Sequence, residues 1–169
     1  HTDGSLLDGA IKCDKLVERL KEVGQTACAI SDHGSMIKTY EFYDTLKKND
    51  IKPIIGLEVY MGEEQDHNTF HLLLLAKNNI GLKNLFKLNR AGYDNFYRKP
   101  RITMCDLDKY HEGLICTTAC LGSELASYWE HDIDYTGYME YMIKTFGDDF
   151  YLEIQHNTME RQIKYNRLE

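Results

Sequence analysis

The chain has 169 residues, of which 43% are hydrophobic and 28% charged, a composition typical of a globular domain rather than a disordered chain. Its 20 basic and 27 acidic residues give a formal net charge of −7, which argues against binding nucleic acid through a broad basic face. No apolar run approaches the length of about 18 residues that a membrane span needs. Five cysteines without a CxxC pair favour a reducing compartment such as the cytoplasm.

Helices and short apolar strands alternate along the first half of the chain. The hydrophobic spacing predicts a helix over residues 11–23, a strand over 26–30, a helix over 35–49 and a strand over 53–60. A polar loop over residues 62–69 then leads to His71, which directly precedes a third apolar strand over 72–76.

The second half continues the alternation after a helix predicted over residues 79–92. An irregular aromatic and basic segment over 93–101 precedes the remaining elements, which are a helix over 105–111, a strand over 113–118, helices over 123–131 and 134–147, a strand over 150–155 and a helix over 158–169. Short strands joined by amphipathic helices predict an α/β fold with a mostly parallel sheet, either doubly wound or part of a barrel. In both architectures, functional residues lie just past the carboxyl ends of the strands.

Several side chains that bind transition metals lie in or beside these loops. They are three imidazoles, two carboxylates and a thiol: His1, His33, His71, Asp8, Glu58 and Cys120. Imidazole and thiolate ligands favour zinc, whereas carboxylates favour manganese or magnesium. The mixture indicates a multinuclear site for phosphoester hydrolysis, in which metals activate water and hold phosphate oxygens. His71 precedes its strand and so does not fit the rule that functional residues follow strands.

Each candidate also has an ordinary structural explanation. A lone histidine beside a strand is more often structural than a ligand, and Asp32 before Gly34 is typical of a turn or a helix cap. A thiol such as Cys120 is by default a small buried hydrophobe. We expect the same of the other four cysteines, Cys13, Cys28, Cys105 and Cys116. Glu58 differs, because a carboxylate between apolar neighbours needs a charged partner or a metal to offset its desolvation.

Two further features leave alternatives open. His156, after the fifth predicted strand, is an additional candidate ligand. The rings and cations of segment 93–101 could stack on a nucleic-acid strand, or could simply pack on a neighbouring domain. The chain contains no GxGxxG, P-loop or GxSxG motif.

Eight collinear phrases of the sequence resemble one known family. They are HTDGSLLDGA (1–10), AISDHG (29–34), IKPIIGLEVY (51–60), HLLLLAKN (71–78), KPRI (99–102), EGLI (112–115), ACLGSE (119–124) and YLEIQ (151–155). These phrases resemble the PHP (polymerase and histidinol phosphatase) domain of the bacterial C-family replicative DNA polymerases. The resemblance runs over essentially the whole chain.

The resemblance implies a distorted seven-stranded β/α barrel of TIM-like form that holds up to three divalent metal ions, zinc or manganese and possibly magnesium. It implies metal ligands at His1, Asp8, His33, Glu58, His71 and Cys120, with Glu58 bridging. It places Glu58, His33 and Asp8 closest to the chemistry and gives Asp32 the role of orienting its neighbours. The first histidine of the family's opening H-x-H and its later D-x-H motif have no equivalent here. We therefore expect residues 1–169 to be a PHP fragment without polymerase domains, inactive by itself.

The function implied by the resemblance is metal-dependent phosphodiesterase chemistry, as a 3′→5′ proofreading exonuclease of a replicative DNA polymerase. The implied partners are the primer 3′ end of DNA and the polymerase core domains in cis. One alternative is a catalytically silent module that braces the polymerase and docks an exonuclease subunit. Another is a stand-alone phosphatase of the same family. The presence of both His33 and Glu58, which family members with decayed sites lose, favours the nuclease.

Overall fold

The computed structural model describes residues 1–63 and 67–167. The strands are β1 (Ala27–Ile30), β2 (Lys52–Met61), β3 (Phe70–Ala76), β4 (Arg101–Ile102), β5 (Leu114–Thr117) and β6 (Phe150–Tyr151). The helices are α1 (Cys13–Glu22), α2 (Thr39–Lys47), α3 (Asn79–Asp94), α4 (Met104–Tyr110), α5 (Glu124–Glu130), α6 (Thr136–Phe146) and α7 (Glu160–Tyr165), with a 3-10 turn at Gly147–Asp149. None of the helices in these two stretches is long and apolar enough to cross a bilayer.

The strands form one six-stranded sheet in the order β1-β2-β3-β5-β6, with β4 paired to β2. The pairs β1–β2, β2–β4 and β5–β6 are parallel, whereas β3 is antiparallel to both β2 and β5. Five described strands therefore point one way and β3 points the other, which confirms the predicted α/β class with a mostly parallel sheet. The pairing of the described strands is open from β1 to β6, so the barrel stays a prediction.

Several predicted boundaries differ from the structure by a few residues. The segment over 93–101 was expected to be irregular, but α3 continues to Asp94, and Arg101 begins β4 and pairs with Tyr60 of β2. A two-residue strand is too short to carry a periodic signal, which is why the sequence does not reveal it. The strand predicted over 150–155 ends at Tyr151. Beyond it, the backbone N–H of Glu153 donates to the Thr118 hydroxyl instead of to a strand ladder.

The hydrophobic core lies between the sheet and the helices, mainly α2 and α3 against β2 and β3. Phe42 and Leu46 of α2 and Leu85 and Leu88 of α3 are fully buried in it. Such packing makes the sheet a rigid support for the loops at its edge.

The cysteines only partly follow the expectation that they are buried. Cys13 and Cys116 are buried and Cys28 is half-buried, but Cys105 is exposed, so the prediction for Cys105 was wrong. Its helix α4 turns Leu107 into the core, and a residue two positions earlier faces the opposite side of a helix.

Candidate metal centre

Backbone pairing places His33 directly beside Glu58. The parallel ladder between β1 and β2 continues past the end of β1, because Glu58 N–H donates to the Asp32 carbonyl and Gly34 N–H donates to the Glu58 carbonyl, at 3.1 and 2.8 Å. His33 and Glu58 are partners in this extension. Their side chains meet with 3.0 Å between Nδ1 of His33 and Oε1 of Glu58.

The reversed direction of β3 explains why His71 precedes its strand. His71 is the cross-strand partner of Tyr60, and Glu58 lies two residues before Tyr60. Side chains of cross-strand partners and of residues two apart face the same side of a sheet, so all three share one face. Nδ1 of His71 lies 2.6 Å from Oε1 of Glu58. Because β3 is antiparallel, its first residues lie at the edge where its neighbours end.

A tight turn brings Cys120 to the same place. The backbone N–H of His71 donates to the Gly122 carbonyl at 2.9 Å, and the Sγ of Cys120 lies 3.4 Å from Nδ1 of His71. A Cβ on residue 122 would lie 3.1 Å from the His71 ring, so glycine permits this close approach. Gly122 N–H also donates to the sulfur at 3.3 Å. Ala119, just before Cys120, has a φ of 57°, an unusual conformation for a residue with a side chain.

The opening segment supplies the remaining two candidates. The rings of His1 and His33 stack with 4.0 Å between their centroids, and Nε2 of His1 lies 3.6 Å from Oε2 of Glu58. Oδ2 of Asp8 lies 3.2 Å from Nε2 of His33. The Asp8 side chain is 58% exposed whereas that of Glu58 is only 8% exposed, so Asp8 lies at the mouth and Glu58 at the base.

Asp32 anchors the opening segment instead of facing the other carboxylates. Its buried carboxylate accepts hydrogen bonds from the backbone N–H and the hydroxyl of Thr2 and from the Ser5 hydroxyl, at 2.5, 2.6 and 3.0 Å. The Ser5 oxygen in turn accepts the backbone N–H of His33 at 3.0 Å. This matches the orienting role that the resemblance implied for Asp32. Thr2 and Ser5 stand in the opening phrase, but nothing in the sequence alone revealed their bonds to a residue near position 32.

The donor atoms form two groups that fit a divalent cation each. His1, His33 and Glu58 can offer three atoms within 4.8 Å of one another, and Glu58, His71 and Cys120 can offer another such set. Among the described residues, Oε1 of Glu58 and Nδ1 of His33 are buried and lack a hydrogen bond of normal geometry. The two atoms face each other at 3.0 Å without forming such a bond, and a bound cation would satisfy both. Glu58 belongs to both groups and could bridge them.

Two predicted candidates lie outside both groups. Asp8 contacts His33 only at the ring nitrogen that faces away from Glu58. His156 is exposed and, within residues 1–63 and 67–167, joins no cluster of metal-binding side chains.

The protonation of the site follows from its contacts. Burial acts to raise the pKa of Glu58, but the adjoining His33 and His71 outweigh it and lower that pKa to about 2. Burial acts to lower the pKa of His71, but Cys120 and Glu58 outweigh it and raise that pKa to about 9. Without metal at neutral pH, Glu58 is therefore ionised and His71 carries a proton that a cation would have to displace.

A histidine, carboxylate and thiol cluster at the carboxyl edge of a mostly parallel α/β sheet is an arrangement that could hold metal ions. The PHP domain family matches residues 1–157, and the chain belongs to this family.

The more specific similarity is to bacterial replicative polymerases. DNA polymerase III subunit alpha of Aquifex aeolicus is 44% identical over 185 residues, covering 99% of this chain and 16% of that protein. The same subunit of Borreliella burgdorferi is 42% identical over 189 residues, with the same coverage, and that of Campylobacter jejuni is 41% identical over 176 residues, covering 93% and 15%. The chain thus spans 15–16% of the length of these relatives.

The similarity to solved structures is weaker. An amidohydrolase from Chromobacterium violaceum aligns with a TM-score of 0.40 and 18% identity, covering 52% of this chain and 30% of that one. A score this low supports no inference about fold or function.

Proposed function

We propose that this chain is the PHP domain of a replicative DNA polymerase alpha subunit. We further propose that its metal centre hydrolyses the terminal phosphodiester of a primer 3′ end, as a proofreading 3′→5′ exonuclease. The observation that carries the proposal is the pair of three-atom groups that share the buried carboxylate of Glu58. The relatives support the polymerase context, because each aligns with nearly the whole of this chain.

The residues present fit such chemistry. Divalent cations held by His1, His33 and Glu58 and by Glu58, His71 and Cys120 would supply Lewis-acid stabilisation of phosphate charge and a water of lowered pKa. Glu58 provides a fixed negative charge to both groups. The Ser5 hydroxyl donates a hydrogen bond to Asp32 and accepts one from the backbone N–H of His33. These two bonds hold the opening segment against the sheet.

Asp8 sets the tautomer of His33. A proton held on Nε2 of His33 and donated to Asp8 leaves the lone pair of Nδ1 directed at Glu58 and free for a cation. In this arrangement Asp8 positions His33, and its role as a direct ligand stays a prediction.

The test uses the full-length polymerase subunit that the proposal assigns to this chain. With manganese or zinc, it should shorten a labelled single-stranded or mismatched primer from the 3′ end. Glu58→Gln should lower this rate by about 100-fold or more, because it removes the negative charge shared by two metal groups. The matched control Glu112→Gln, at an exposed position, should leave the rate unchanged.

Primer extension by the same preparations reports whether the polymerase is intact. A wild-type subunit that extends primers but hydrolyses no DNA end with any divalent metal would contradict the nuclease proposal. So would a Glu58→Gln variant that keeps full hydrolysis.

A second candidate function is the structural module. The observation that favours it is an apolar groove between α2 and α3, lined by Ile37, Tyr40, Tyr43 and Phe86 among others. Ile37 and Tyr40 are 77% and 78% exposed, which is unusual for such side chains and typical of packing surfaces. Loss of primer extension on Tyr40→Ser, together with absent hydrolysis in the wild type, would favour this function over the nuclease.

A further inference from the structure

Tyr60 forms one wall of the candidate metal centre. Its ring centroid lies 5.2 Å from that of His71 and 5.8 Å from that of His33. The residue is only 9% exposed. A neutral tyrosine ring offers a face of negative potential to a cation.

Lys99 occupies that position. Its Nζ lies 4.4 Å from the centroid of the Tyr60 ring, which is a cation–π contact. The backbone around it is held on both sides. Arg101 begins β4 on the edge of β2, and Pro100 packs so closely on Gly34 that a Cβ there would lie 2.6 Å from the proline ring. Lys99 is therefore fixed beside the loop that carries His33.

The charge of Lys99 has no acidic partner among the residues that the structure describes. Lys38, near the opening segment, is by contrast bound by both Asp3 and Glu41, at 3.2 and 2.8 Å. The chain carries a net charge of −7, and Asp8 and Glu58 add negative charge at the site itself. An anionic strand approaching this cleft needs a local positive charge, and an ammonium that forms no ion pair within residues 1–63 and 67–167 supplies one.

The Tyr60 ring contacts this ammonium and both histidine rings. Lys99 thus adjoins the two metal groups through a shared neighbour without being one of their donors, a position suited to the next phosphate of a strand and not to the one being cleaved. We propose that Lys99, held on the face of Tyr60, binds the phosphate adjacent to the cleaved one and so makes the site select polynucleotide strands over esters with a single phosphate. This inference rests on the proposed function, since it assumes that the cluster acts on phosphodiesters.

The first test compares two substrates of the full-length subunit in manganese. One is a single-stranded oligothymidylate, and the other is the p-nitrophenyl ester of thymidine 5′-monophosphate, which has one phosphodiester and no neighbouring phosphate. Lys99→Ala should raise KM for the oligonucleotide roughly tenfold and leave kcat unchanged. It should also lower the slope of log KM against log salt concentration by about 0.7, which is the value for one phosphate contact on a single strand. KM for the ester should stay within about twofold.

Two variants serve as controls. Lys99→Arg keeps the charge and the contact with the ring, so it should restore most of the oligonucleotide KM. Lys109→Ala removes an exposed lysine of α4 and should change neither substrate. Equal loss on both substrates, or no loss on the oligonucleotide, would overturn the inference.

A second measurement does not depend on catalysis. Acylation of lysines by an amine-reactive reagent, read by mass spectrometry in the presence of a chelator, reports which ammonium groups the oligonucleotide covers. Oligothymidylate should protect Lys99 at least threefold while the ester does not, and Lys109 should react equally in both. Protection without any hydrolysis by the wild type would reject the nuclease while supporting Lys99 as a phosphate contact. Hydrolysis without protection would reject the role of Lys99 and leave the nuclease standing.

Discussion

Asp32→Ala tests whether the support of the metal centre determines both stability and metal affinity. Asp32 is 1% exposed and accepts three hydrogen bonds, two from Thr2 and one from Ser5. Through the Ser5 oxygen it also fixes the backbone of His33. Removing the carboxylate leaves three donors without their acceptor and frees the segment that carries His1.

The magnitude follows from these contacts. A hydrogen bond to a charged group contributes about 1.5–3 kcal/mol, and deletions within one network are less than additive. We therefore expect Asp32→Ala to lower the free energy of unfolding by about 4 kcal/mol, a large part of the 5–15 kcal/mol typical of a domain. Asp32→Asn can keep two of the bonds through its amide oxygen, so it should cost only about 1–2 kcal/mol.

Urea denaturation of the metal-free protein measures the first effect, and titration with zinc against a chromophoric chelator measures the second. Zinc affinity should fall about 10–100-fold in Asp32→Ala, as is usual when groups that orient metal ligands are lost. Asp148→Ala removes an exposed aspartate and should change stability by less than about 0.5 kcal/mol. If Asp32→Ala changes the unfolding free energy by less than about 1 kcal/mol and leaves zinc affinity intact, the reasoning fails.

Three further predictions concern the ligands and the sheet. Cys120→Ser should weaken zinc binding and shift preference towards manganese, because a hydroxyl is a harder ligand than a thiolate; chelator competition with each metal decides this. Zinc binding at neutral pH should release the proton of His71, and the number of protons released should fall to zero as the pH rises through about 9. Calorimetric titration with zinc in buffers of different ionisation enthalpy measures this number. Gly56→Ala should lower stability by about 1–3 kcal/mol, since its Cβ would lie 2.5 Å from a Leu75 methyl and 2.8 Å from two backbone carbonyls. The control Gly137→Ala should not lower stability, because a Cβ at this position would have no atom within 4 Å.

The alternation of strands and helices predicted the fold class because each element has its own hydrophobic period. The strand-end rule then located His33, Glu58 and Cys120, which lie on or just past strands that share one direction. His71 did not obey the rule, and the reason lies in the connection before it. The loop predicted over 62–69 is too short for the crossover that a parallel neighbour needs, so β3 has to return antiparallel. The length of this loop therefore indicates the direction of β3, which the hydrophobic pattern of the strand does not.

Other parts of the site could not be predicted, because they depend on contacts between distant positions. The bond from Ser5 to Asp32 joins residues 27 positions apart, and the contact of Lys99 with Tyr60 joins a loop to a strand. No local pattern distinguishes Asp32 from an ordinary turn aspartate. Its buried environment is created only when the opening segment folds over the end of β1.

The position of Glu58 predicts that folding and metal binding are coupled in this domain. Its carboxylate is almost fully buried, and without metal the adjoining imidazoles of His33 and His71 compensate its charge. Those imidazoles belong to the same two groups that would hold cations. Protons and metal ions therefore compete for one set of lone pairs, and metal loading should stabilise the fold less at low pH than at neutral pH. A metal-induced gain in unfolding free energy that does not change between about pH 5.5 and pH 8, both below the His71 pKa of about 9, would show that the cluster binds no metal through His71.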